Sequence, residues 1–219
     1  MIIYFSGLHG IGKTTLIQKL FTEFLNPKTI GELDFDRYQT FRKNITSNQI
    51  DRLLDQRVHA VECSKSTHPY IADRGPWDQL CYTRAMAQYG LLEEERLHDI
   101  ISLNRSLSSD ILCRSVIVYL RMPWEQVHAN ILHRDRKTEI NTFFAEKQFL
   151  QILQTIFDDF YAQLKYIRDV VIIDAPYTAE TVFNVLWKNR WFHKHHLKPV
   201  VQERLKQEAL EREQQGHGG

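Results

Sequence analysis

The chain has 219 residues, 43% of them apolar and 25% charged, enough to build one globular domain with a substantial core. Its 28 Lys and Arg against 27 Asp and Glu leave a formal charge of +1, which argues against a protein built chiefly to coat a nucleic-acid backbone. No apolar run approaches the roughly 20 residues that span a bilayer. Cys63, Cys81 and Cys113 lack a C-x-x-C pair, which suits buried thiols in a reducing, cytoplasmic compartment.

Residues 2–6 (Ile-Ile-Tyr-Phe-Ser) read as a first strand and not as a signal peptide, because no basic leader precedes them and a Gly-rich turn follows at once. Residues 13–25 set Leu16, Ile17, Leu20, Phe21 and Phe24 along one stripe and stop at Asn26-Pro27, an amphipathic helix with its terminator. A weaker β-prone run covers 29–33. The spacing then predicts a helix over 48–65, a strand over 70–73, helices over 76–89 and 93–107, a strand over 116–120, helices over 124–133 and 142–168, a strand over 170–174 and a helix over 178–190. Strands this uniformly apolar are covered on both faces, and their alternation with helices predicts an α/β fold with a parallel sheet and right-handed crossovers. Residues 1–190 are expected to form this domain. Residues 191–219 form a charged tail, with a helix near 200–215 supported by pairs such as Glu203 with Lys206 and Glu208 with Arg212. His193, His195 and His196 make a poor metal site, since adjacent residues on a regular element cannot all face one ion.

Directly after the first strand, Gly7-Leu8-His9-Gly10-Ile11-Gly12-Lys13-Thr14 satisfies G-x-x-x-x-G-K-[ST] and opens a helix. Polyphosphate is strongly anionic, so the loop must turn several backbone N–H groups inward. Glycines at 7, 10 and 12 permit positive φ and close approach. The helix N-terminus adds its positive dipole end, Lys13 reaches the β and γ phosphates, and the Thr14 hydroxyl is placed for Mg²⁺, with Thr15 beside it. The expected nucleotide-binding set is therefore Gly7, His9, Gly10, Ile11, Gly12, Lys13, Thr14 and Thr15. The chain has no N-K-x-D guanine reader, and the apolar runs ending at Asp73 and Asp174 continue with Arg74 and Ala175 rather than the Glu usual in motor-type ATPases.

Asp73-Arg74-Gly75, with Tyr82 nine residues after Asp73, resembles the D-R-Y and downstream A-Y of the thymidylate kinase and deoxynucleoside kinase group of P-loop phosphotransferases. The resemblance extends over most of residues 1–190 and implies a five-stranded P-loop sandwich of strand order 2-3-1-4-5. It assigns Asp73 to Mg²⁺ and Arg74 to the substrate phosphate. It also implies Arg57 and Tyr82 near the acceptor, and backbone near Ala175 and Pro176 against adenine. Tyr119-Leu120-Arg121-Met122-Pro123 followed by Arg134-Asp135-Arg136 resembles the family's strand and Arg-bearing lid near 134–142, although Asn130 stands where the family commonly has Arg. Mobile guanidinium groups stabilise the charge spread over a transferring phosphoryl group, the role implied for Arg134 and Arg136.

The family's acceptor-side acid lies after the second strand, where this chain reads Glu32-Leu33-Asp34-Phe35-Asp36-Arg37-Tyr38 without the family's E-P. Glu32 is the first candidate for the group that orients the attacking hydroxyl and Asp34 the second, with Tyr38 among the aromatics available to stack an acceptor base. These features imply an ATP- and Mg²⁺-dependent phosphotransferase acting on a nucleoside, a nucleotide or a related small metabolite. Two alternatives stay open: a polynucleotide 5′-hydroxyl kinase, which would admit nucleic acid only through its 5′ end, and a non-catalytic ATP-binding switch. A homodimer is also left open.

Overall fold

Ile3, Phe5, Ile71, Val118 and Leu120 are fully buried, and they are the reason five short runs become the strands of one sheet. Each side chain of this size contributes about 1.5–3 kcal/mol when removed from water. The computed structural model describes residues 1–33, 45–66, 68–108, 115–133, 143–166 and 169–216. Its strands are β1 (Ile2–Ser6), β2 (Gly31–Leu33), β3 (Tyr70–Asp73), β4 (Ser115–Arg121) and β5 (Val170–Asp174). They pair in the order β2-β3-β1-β4-β5, all parallel, as the resemblance implied. β1 is central: Ile3 is level with Ile71 on one side and Val116 on the other.

The helices are α1 (Lys13–Glu23), α2 (Ile45–Ser64), α3 (Pro76–Gln88), α4 (Glu94–Ser108), α5 (Trp124–His133), α6 (Lys147–Leu164), α7 (Ala179–Lys188) and α8 (Pro199–Gly216). α3 packs on α2, α4 and α6, whereas α1 packs on α7. The chain leaves β1 toward β2 on one side of the sheet and leaves β4 toward β5 on the other. The C-terminal edge between β1 and β4 is therefore a topological switch point, where open α/β sheets form a crevice.

Most boundaries lie within a few residues of the sequence expectation. α6 starts at Lys147 rather than 142, because Phe143–Ala145 forms a separate 3-10 turn and Glu146 is extended (φ −73°, ψ 133°). Phe144 and Phe149 meet edge to face across that corner at 5.6 Å, so aromatic packing favours a bend over continued helix. α7 begins as its capping residues require: the Thr178 hydroxyl accepts the Thr181 N–H at 3.1 Å.

The segment after 191 is anchored to the core. Phe192, Leu197 and Val201 are buried, Leu197 bridges to Leu25, and the Asn26 N–H donates to the His196 carbonyl at 2.8 Å. Those apolar residues straddle a turn and the start of a helix, so they make no single periodic stripe. Among the described residues no helix is long and apolar enough to cross a membrane.

Candidate active site

The loop between β1 and α1 takes its shape from its glycines. Gly7, Gly10 and Gly12 have φ of 138°, 83° and 90°, a region that costs other residues roughly 1–2 kcal/mol. At two of them space is also closed: a Cβ on Gly7 would meet the Leu120 carbonyl oxygen at 2.6 Å, and one on Gly10 would meet Ile131 Cγ1 at 2.8 Å. Gly12 caps α1 with no side-chain hydrogen bond. The first-turn N–H groups of α1 are thus left without a side-chain cap and point where an anion would sit.

Lys13 is buried, with 5% of its surface exposed, and its Nζ donates to the carbonyls of Gly7 (2.9 Å) and Leu8 (2.8 Å). Thr14 and Asp73, 59 residues apart, come together: the Thr14 hydroxyl donates to Asp73 Oδ2 at 2.5 Å. The other carboxylate oxygen of Asp73 is buried and has no hydrogen-bond partner among the described residues. This is a pair of hard oxygen donors beside a phosphate-shaped loop, the donor chemistry Mg²⁺ takes when it also binds phosphate.

Arg74 follows Asp73 with a left-handed backbone (φ 74°), and its N–H donates to the Phe5 carbonyl at 2.9 Å. Burial alone would lower its pKa. Tyr82, Asp73 and Asp78 around the guanidinium more than offset that and hold it above its ordinary value, so Arg74 is a fixed cation. The guanidinium carbon sits 4.9 Å from the centre of the Tyr82 ring. Gly75 replaces the family's Tyr for a steric reason: a Cβ there would come within 2.8 Å of Tyr4 Cδ1. Tyr82 is buried, and its hydroxyl meets His9 of the loop, accepting the His9 N–H at 2.9 Å.

Asp78 was not visible as a site residue in the sequence. It is fully buried on α3, one turn beyond Arg74, and accepts the Tyr161 hydroxyl at 2.6 Å and, more weakly, the Gly7 N–H at 3.4 Å. Burial raises its pKa, while Lys13 and Arg74 pull the other way. A carboxylate four residues after an Arg in a helix otherwise buried was the available signal. It could be read only with the knowledge that this face lies under the loop.

A cavity of about 810 Å³ runs from Gly10, Gly12 and Thr15 to Ala175, Pro176 and Thr178. The structure therefore brings the expected base-side backbone and the phosphate loop to one opening. Tyr177, beside them, donates its hydroxyl to the Ile11 carbonyl at 2.9 Å, and burial pushes its pKa up to about 12. Asn130, in the position of the family's helix Arg, donates to the Gly10 carbonyl at 3.2 Å. Asp174 pairs with Arg121 at 2.5 Å; that hydrogen bond lowers the Asp174 pKa.

On the acceptor side, Glu32 lies exposed on edge strand β2, and Arg57 is partly buried on α2. Asp34, Tyr38, Arg134 and Arg136 lie outside the described residues. Three further buried polar atoms, on α2 and α3, were not anticipated. Gln56 Oε1, Gln79 Nε2 and Trp77 Nε1 have no hydrogen-bond partner among the described residues. Each such group left dry costs about 1–3 kcal/mol, a cost that a polar ligand removes.

The sequence pattern of the deoxynucleoside kinase family matches residues 3–193. Solved structures of deoxyadenosine kinase from M. mycoides share the fold. The form with products dCMP and a flexible dCDP bound has a TM-score of 0.68 at 16% identity, covering 86% of this chain and 98% of that one. The dATP-bound form gives the same values, and the dCTP-bound form gives 0.66 at 15% identity with the same coverage. Comparison with curated proteins gave no match.

Proposed function

The chain belongs to the deoxynucleoside kinase family, and from that premise we propose how its own residues carry a phosphoryl group from ATP to a nucleoside hydroxyl. The reaction is an in-line transfer in which the protein's work is positioning and charge stabilisation. The amides of Gly10 to Thr14 and the α1 N-terminus hold the β and γ phosphates, and Lys13 turns from the Gly7 and Leu8 carbonyls onto them. The backbone at Ala175 and Pro176 faces the adenine across the shared cavity. Arg74, a permanent cation, stabilises charge on the transferring group from the acceptor side, with Arg57, Arg134 and Arg136 as further cations in that role. Glu32 orients the attacking hydroxyl and receives its proton, with Asp34 as the second candidate.

The Thr14 hydroxyl and the Asp73 carboxylate are the residues that would hold Mg²⁺, and the unpartnered Asp73 oxygen supports this assignment. The ion, when bound, neutralises polyphosphate charge. For the acceptor we favour a deoxynucleoside, as in the structural relatives, which carry dCMP, dATP or dCTP. Gln56 Oε1 and Gln79 Nε2, an acceptor and a donor without a partner among the described residues, are the side-chain atoms available for reading a base edge.

The observation that carries the reading is the meeting of Thr14 with Asp73 directly before the half-buried Arg74, beside an uncapped helix N-terminus. The test incubates the full chain with Mg-ATP and, separately, each deoxynucleoside, ribonucleoside, nucleoside monophosphate and a short 5′-hydroxyl oligonucleotide, and reads product mass. A deoxynucleoside monophosphate is the expected product. Phosphorylation of the oligonucleotide alone would move the protein to the polynucleotide reading, and ATP binding without transfer to any acceptor would make it a switch.

A further inference from the structure

His9 occupies the middle of the phosphate loop, and its two ring nitrogens face different partners. Nε2 lies 2.6 Å from the Phe144 carbonyl, which can only accept, so Nε2 carries a hydrogen. Nδ1 lies 3.1 Å from the Tyr82 hydroxyl. That oxygen already accepts the His9 backbone N–H at 2.9 Å, and the Arg74 guanidinium lies over the same ring, 4.9 Å from its centre. With Nε2 donating to a carbonyl, the neutral ring leaves Nδ1 bare to accept the Tyr82 hydroxyl hydrogen. Burial raises the Tyr82 pKa, in keeping with a hydroxyl that stays a donor. A cationic His9 would present a second donor to the same oxygen and leave the hydroxyl hydrogen without Nδ1 to accept it. The ring is further clamped by Phe144, edge to face at 5.4 Å.

We infer that His9, held neutral as the Nε2–H tautomer, is a positioning residue that ties the phosphate loop both to Arg74, through Tyr82, and to the Phe143–Ala145 turn, through the Phe144 carbonyl. The spacing on α3 suits the task. Arg74 just before the helix, Asp78 and Tyr82 follow at intervals of four, so one face of α3 meets the loop at Gly7 and again at His9. The His9 N–H is spent on Tyr82 rather than on phosphate. The residue thus registers the donor cradle against the acceptor-side cation instead of gripping ATP. This assignment rests on the kinase reading above.

The consequence is a split between turnover and nucleotide binding. Phosphate is held by the amides of residues 10–14, whereas alignment with Arg74 passes through His9. His9→Phe, which fills the ring's space without its nitrogens, should lower kcat about tenfold and change ATP affinity by less than threefold. Tyr82→Phe should do the same, and the double variant should be no slower than either single one, since both break one path. His9→Gln retains a donor that reaches the Phe144 carbonyl and should recover part of the loss. Nitrogen-15 NMR of the His9 ring in the unliganded protein provides a signature that a filling role would not: Nε2 protonated and Nδ1 bare, with Nε2 staying protonated on the Phe144 carbonyl and the Nδ1 resonance shifting in Tyr82→Phe as its hydrogen bond is lost.

Unchanged kcat in a folded His9→Phe, multiplicative losses in the double variant, or a protonated Nδ1 would overturn the assignment. Wild-type protein that transfers no phosphate to any nucleoside would overturn the kinase reading itself, whereas active wild type with normal variants overturns only the role of His9.

Discussion

Asp78 is the residue whose removal should disturb the site most through stability. Replacing it by Ala takes away a buried carboxylate lying between the buried Lys13 and the half-buried Arg74. It also strips the Tyr161 hydroxyl of its acceptor at 2.6 Å, while the Gly7 contact, at 3.4 Å, contributes little. The orphaned hydroxyl costs about 1–3 kcal/mol. Breaking a buried charge pairing by deleting one partner costs roughly 3–5 kcal/mol in all, the hydroxyl included. For a chain of this length each kcal/mol lowers Tm by about 2–4 °C, so Asp78→Ala should melt roughly 6–20 °C below wild type. Asp78→Asn keeps the shape and an oxygen for Tyr161 but not the charge, and should fall between the two. Urea unfolding at pH 7, followed by tryptophan fluorescence, reads the free energies. Tyr161→Phe completes a double-mutant cycle, in which the two losses should overlap by about 1 kcal/mol. An Asp78→Ala protein within about 1 kcal/mol of wild type would refute the view that this carboxylate holds the cations in place.

Three other perturbations have definite outcomes. Lys13→Ala should leave the fold intact and reduce kcat by about 10²-fold, the scale for losing one preorganised charge stabiliser, measured as ADP formed in the presence of the acceptor. Gly10→Ala combines φ of 83° with a Cβ placed 2.8 Å from Ile131. It should weaken nucleotide binding at least tenfold by calorimetry, because the loop must change shape to accept it. His196 is buried, accepts the His193 N–H on Nδ1 at 3.0 Å, and has its pKa pushed down to about 4 by burial first and by His195, His193 and His68 next. The folded state therefore resists a proton that the unfolded state takes up near 6.5. Stability should be level above that pH and decline as pH falls from about 6.5 to about 4. His196→Asn, which retains an acceptor for His193, should show a shallower decline in urea midpoint.

Much of this architecture was legible from local pattern. The spacing of glycines at 7, 10 and 12 around Lys13 and Thr14 specifies a backbone shape that few other sequences permit, and the uniformly apolar strands announce a sheet covered on both faces. The start of α7 at Thr178 lay where the spacing predicted it, because its cap, the Thr181 N–H on the Thr178 hydroxyl, is a contact between near neighbours. Helix ends were less readable where distant packing decides them, as at Phe143–Ala145, where aromatic contacts with Phe149 and a bond from His9 outweigh helical continuation.

What the amino-acid order determined alone is the chemistry available: a glycine-rich turn at a helix start, a hydroxyl beside it, a run of cations and an α/β frame to carry them. Only the tertiary structure decided which of these meet. Asp73 reaches Thr14 across 59 residues, Tyr82 reaches His9 across 73, and Tyr161 reaches Asp78 across 83. Periodicity and capping express interactions within a few residues along the chain. Buried polar contacts between elements depend on strand order and helix rotation, which arise when the whole core closes at once.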